Sequence, residues 1–157
     1  MKIAFLSSIY PIHAAQIYRD YPALKDKSSH EQIEFIRWHA LSSYVKWDDY
    51  LKINGCDVIK FHHNLNFVER KWAKENLTNF SHKTSEFEIG LEKIKRFKPD
   101  IIYCSCPHAY IQNGFLDEIV KSLSRRPKIV AWYGANCGDE KIFNFFDLTL
   151  SNSKDLV

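Results

Sequence analysis

The stretch SEFEIGLEKIKRFKPDIIYC, residues 85–104, decides the fold. Ser85 and Glu88 stand three apart, the spacing of a capping box, in which a hydroxyl and a carboxylate satisfy free amides at a helix start. Phe87, Leu91 and Ile94 recur every three to four residues and set one apolar face. Lys98-Pro99-Asp100 stops that helix, because the proline ring disfavours helical backbone at the residue before it. Ile101-Ile102-Tyr103-Cys104 follows at once, an apolar run without alternation, as expected of a strand buried on both faces. A helix feeding straight into a doubly buried strand is half of a βαβ crossover.

The same alternation extends in both directions. Lys2 to Ser7 reads as the first strand, and His13 to Asp20 as a short helix between Pro11 and Pro22. Ile33, Ile36, Ala40, Tyr44, Trp47 and Leu51 are spaced 3, 4, 4, 3 and 4, which predicts an amphipathic helix over 30–53. Ser29 and Gln32 are its expected capping box, and Asn54-Gly55 its stop. Asp57 to Phe61 is the second strand, with Asn64 expected to cap a helix carrying Leu65, Val68 and Trp72. Downstream, Ile111, Phe115, Ile119 and Leu123 form a helical face, Lys128 to Trp132 a fourth strand and Asp147 to Leu150 a fifth. The expected fold is α/β: a doubly wound, Rossmann-like parallel sheet with the first strand central and the 30–53 helix against it.

Composition agrees with one ordinary domain spanning 1–157. Hydrophobic residues make up 45% of 157 and charged residues 26%, which excludes a disordered tail or a coiled coil. Net charge is only +3, spread through the chain, so nucleic acid is not an expected partner. No apolar run approaches the ~20 residues of a membrane-spanning helix and no signal peptide is legible, so a cytoplasmic protein with reduced cysteines is expected. Ser153 reads as the cap of a further helix, so the natural chain is expected to continue past Val157.

In a doubly wound sheet, ligands bind beyond the carboxyl ends of the strands, where loops and helix starts converge. Those ends carry Ser7, Ser8, Tyr10 and His13; His62, His63 and Asn64; Ser105, Cys106 and His108; Tyr133, Gly134 and Asn136; and Ser151 and Asn152. Hydroxyl, amide and imidazole groups without net charge suit a polar small molecule. The glycine-rich dinucleotide turn, the Walker loop and the nucleophile elbow are absent. Cys104, Cys106, His108 and Cys137 are metal-ligand types, but C-x-C-x-H with a distant cysteine is weak zinc spacing, and small buried residues at a strand end account for the cysteines; no metal or other cofactor is expected. His62-His63 reads as a solvated strand end, and the basic strings 93–98 and 125–128 as solvated helix ends. His108, which follows Pro107, is the first choice for proton transfer. The expected substrate-binding residues are Tyr10, His13, Tyr133, Gly134 and Asn136: glycine permits close backbone approach and the amide can hydrogen-bond a polar ligand.

A larger pattern lies in the order of the segments. The opening strand, Tyr10-Pro11, Tyr21-Pro22-Ala23-Leu24, Ser29 to Trp47 with Glu31-Gln32, Trp72-Ala73-Lys74-Glu75, Phe97 to Tyr103, Lys128 to Ala135 and Phe146 to Ser151 resemble, in sequence order, the N-terminal part of the CgeB-like, spore-maturation type glycosyltransferases. The resemblance implies the acceptor-side, N-terminal half of a GT-B enzyme. Such an enzyme moves a sugar from a nucleotide-sugar donor to an acceptor hydroxyl on a sugar or glycan, usually without a metal. The donor would be held mainly by a C-terminal domain absent from this chain, so the chain alone is expected to transfer no sugar. Ser7-Ser8-Ile9-Tyr10 departs from the glycine-rich turn that many GT-B enzymes place there. Two other classes fit the residues themselves: a stand-alone small-molecule or protein binding module of the same fold, and a zinc- or thiol-dependent enzyme.

Overall fold

The computed structural model describes residues 1–39, 47–134 and 140–152. Its five strands, β1 (Lys2–Ser7), β2 (Asp57–His62), β3 (Ile101–Cys104), β4 (Lys128–Trp132) and β5 (Leu148–Leu150), form one sheet in the order β2-β1-β3-β4-β5, all parallel. This is a doubly wound α/β architecture with its topological switch between β1 and β3. β1 is interior, but the middle place belongs to β3, a correction to the expectation of a central first strand.

The period of two along each strand sorts side chains to opposite faces. Ala4, Leu6, Phe61, Ile102 and Cys104 face α5 (Glu86–Phe97), α6 (Pro107–Gln112) and α7 (Phe115–Ser122), burying Ile94, Tyr110, Leu116 and Ile119 between the layers. Each fully buried aliphatic or aromatic side chain there is worth about 1.5–3 kcal/mol. Ile3, Phe5 and Tyr103 face the other way, against Leu51 of α3 (Trp47–Ile53), with the Trp47 ring 5.8 Å from that of Tyr103. A third cluster, with Ile9, Ile17, Tyr18, Ile36, Leu65 and Val68, joins α1 (Pro11–Asp20), α2 (Ser29–His39) and α4 (Asn66–Asn76). Among the described residues no helix is long and apolar enough to cross a membrane.

Several local expectations hold. Ser85 and Glu88 make the capping box of α5, and Lys98 ends it in the left-handed region at φ 53°. Gly55 follows α3 at φ 75°. Others are corrected. Two helices, α2 and α3, lie within the span expected as one, and residues 40–46 are outside the described residues; only α3 packs on the sheet. The box at the start of α2 is Ser28 with Glu31, one residue earlier than expected, because Ser29 Oγ donates to Glu75 at 2.6 Å. Gln32 is fully buried instead, accepting from Tyr18 Oη at 2.7 Å and donating to the Lys27 carbonyl at 2.9 Å. The face expected through 111–123 breaks into α6 and α7 at Gly114, φ 65°.

The basic strings are paired as well as solvated. Arg125 bonds Asp100, while Arg126 and Lys128 reach Asp147 at 2.7 and 2.9 Å. Asp147 also accepts the Ile129 amide at 2.9 Å, and that bond, with the two cations, holds its carboxyl well below the usual range. Lys93, expected at a solvated end, is buried against Glu69.

Candidate functional site at the carboxyl edge

After β1 the chain turns through Ser8 and Ile9. Asn64 does not cap α4, whose N-cap is Leu65; its Oδ1 accepts the Ile9 amide at 3.1 Å while its Nδ2 donates to the Ile9 carbonyl. This clip ties the loop after β1 to the loop after β2. It leaves Tyr10 72% exposed, its ring edge-on to His13 at 5.6 Å, as Pro11 starts α1.

The end of β2 is dry rather than solvated. His62 is buried, and desolvation, aided by the positive charge of Lys93, lowers its pKa from 6.5 to about 3, so the ring is neutral. Glu69 beneath it accepts the His62 amide at 3.0 Å and pairs with Lys93 Nζ at 2.8 Å. His63 is half-buried, which also lowers its pKa.

Tyr110 of α6 occupies the crevice at the switch point. Its hydroxyl donates to the Ser7 carbonyl at 2.7 Å, lies 3.3 Å from the Phe61 carbonyl and 3.4 Å from His63 Nδ1. The Ser8, Ser105 and Tyr110 hydroxyls lie near enough to the Cys106 thiol to offset part of the rise that burial imposes on its pKa. One tyrosine thus joins the ends of three strands and fills the place where doubly wound folds commonly take a ligand. Burial raises the pKa of both Cys104 and Cys106, so both thiols are protonated and weak as nucleophiles. Among the described residues no three His, Cys, Asp or Glu side chains are grouped to hold a metal ion; Cys137 lies outside them.

The remaining polar mouth lies between β3 and β4. Cys106 is the N-cap of α6, Pro107 its first residue and His108 its second, which sets an exposed imidazole at the end of β3. Across from it Tyr133 follows β4, its amide donating to the Leu150 carbonyl at 2.8 Å and its ring 5.4 Å from Phe143. The Tyr133 hydroxyl meets His108 Nε2, with the rings edge-on at 5.2 Å. Exposed Gly134 comes next: a Cβ built there would stand 3.4 Å from Trp132 Nε1 and 3.5 Å from Asn152 Oδ1.

No family model, curated protein or solved structure matches this chain. Of the expected site residues, His108 and Tyr133 touch each other, Gly134 follows Tyr133 in the chain, and Tyr10 and His13 form a second pair after β1. Asn136 lies outside the described residues. Tyr110, fully buried on α6, lies off the apolar spacing that runs through Ile111 and so is not among the expected site residues. Its signal was Pro107, one helical turn earlier, which is also buried.

Proposed function

We propose that this chain is the acceptor-side domain of a GT-B glycosyltransferase, carrying a sugar or glycan hydroxyl toward a nucleotide sugar held by a second domain. The His108–Tyr133 pair carries the reading: an exposed imidazole, oriented by a buried phenol, at the mouth of adjacent strands. Among the described residues, those that directly follow β3 and β4 offer hydroxyl, thiol and imidazole groups and no carboxylate or ammonium, which matches a neutral polyhydroxyl ligand. Holding an acceptor in register with a donor supplies about 7–11 kcal/mol of a transfer barrier. The ordered segments that resemble the CgeB-like enzymes support the same assignment.

The test is a titration of the labelled 157-residue chain with methyl glycosides and short neutral oligosaccharides, followed by amide and imidazole NMR signals. The expected result is weak saturable binding with shifts at His108, Gly134 and Tyr10, weakened about tenfold by His108→Ala, as for loss of a well-made polar contact. No shift with any glycoside, or shifts confined to the opposite edge of the sheet, would overturn the assignment. Incubation with nucleotide sugars should give no transfer by this chain alone.

A further inference from the structure

We propose that Tyr133 holds His108 as its Nδ1–H tautomer, so that the outer side of the imidazole offers a hydrogen-bond donor to a ligand oxygen at the mouth between β3 and β4. The ligand named here, a glycoside oxygen, rests on the acceptor reading above; the tautomer does not.

The contact between the Tyr133 hydroxyl and His108 Nε2 needs one proton between its two heavy atoms. Either the phenol donates to a bare Nε2, or an Nε2–H donates to the phenol oxygen. A phenol is a far stronger donor than a neutral imidazole N–H, and an imidazole nitrogen is a far better acceptor than a phenol oxygen. The first arrangement therefore wins. A neutral imidazole carries a single N–H, and with Nε2 accepting, that proton sits on Nδ1. The free histidine side chain prefers the opposite tautomer, so Tyr133 inverts the default.

The geometry gives Tyr133 leverage over the ring. Tyr133 is 3% exposed, wedged against Phe143, and pinned through its amide to Leu150. His108 is exposed and set by the first turn of α6 behind Pro107. Its Nδ1 makes no hydrogen bond with the described residues. Tyr133 is thus a positioning residue, and His108 meets a ligand oxygen by donating to it. Acting as a base through Nδ1 would first require exchange to the other tautomer.

The experiment is long-range proton–nitrogen correlation on the full chain with labelled histidine, at about pH 8.5, where an ordinary imidazole is neutral. His108 is assigned by its loss in His108→Gln. Nδ1–H is expected as its major form, falling below half in Tyr133→Phe while the other histidine signals keep their places. Nε2–H as the major form in the native chain would overturn the proposal, as would an unchanged Nδ1–H population in a folded Tyr133→Phe. Should that variant fail to fold, the native spectrum alone decides. Methyl β-glucoside is then added to the native chain. An Nδ1–H tautomer whose signals ignore the glucoside and every other glycoside tried would sink the acceptor reading and leave the tautomer standing, so the two failures are distinguishable.

Discussion

Glu69 Oε2 lies 2.8 Å from Lys93 Nζ with both side chains buried, and this ion pair ties α4 to α5 beside the end of β2. The other carboxylate oxygen is also engaged, by the His62 amide at 3.0 Å. Breaking such a pair from one side strands a charge out of water, whereas neutralising both sides does not. Lys93→Met should cost about 3–5 kcal/mol in urea unfolding, and adding Glu69→Gln should recover most of it. A Lys93→Met cost below about 1 kcal/mol would mean that water reaches Glu69.

His62 makes stability depend on mild acid. Its folded pKa, about 3, lies below the unfolded value of 6.5, so the unfolded chain binds the extra proton as pH falls through that window. The contribution is fully present above 6.5 and is lost toward 3, with a limiting slope of about 1.4 kcal/mol per pH unit. Between pH 7 and pH 5 this amounts to about 2 kcal/mol at most. His62→Gln should flatten the dependence over that range; an unchanged slope would show that His62 is not the group responsible.

Gly90 lets α5 approach β2. A Cβ there would stand 2.5 Å from Cζ of the fully buried Phe61 ring, closer than packed atoms tolerate. Gly90→Ala should destabilise by about 1–3 kcal/mol despite alanine's better helix propensity. Combined with Phe61→Leu, the two costs should add to less than their sum, because the shortened side chain frees the space the methyl needs. Strict additivity would rule out that contact as the cause.

How much of this was legible in the sequence depended on range. The Ser85–Glu88 box and the strand from Ile101 to Cys104 follow from neighbours within a few residues, and both stand as read. The start of α2 moved by one residue because Glu75, 46 positions away, takes the Ser29 hydroxyl. Residue type made His62 and Lys93 look solvated, yet Glu69 on another helix draws both inward. At the candidate site, the strand-end rule brought His108 and Tyr133 to one mouth, but no spacing rule reveals that one phenol meets one imidazole nitrogen. Tyr110 was hidden for a related reason: its role is to bond carbonyls of β1 and β2, which carry no side-chain signature.

The two edges of the sheet will feel ionic strength differently. The strand starts are fastened by exposed charge: Asp100 with Arg125 and the Lys2 amide, and Asp147 with Arg126 and Lys128. The strand ends are fastened by side-chain hydrogen bonds, Tyr110 on Ser7, Asn64 on Ile9 and Tyr133 on His108, and by one carboxylate, Glu69 on the His62 amide, which is buried. Mobile ions weaken exposed pairs once the Debye length falls to a few ångström, near 1 M salt, and leave neutral hydrogen bonds nearly untouched. Salt is therefore a dial that loosens the amino edge of this sheet while its carboxyl edge stays as it is.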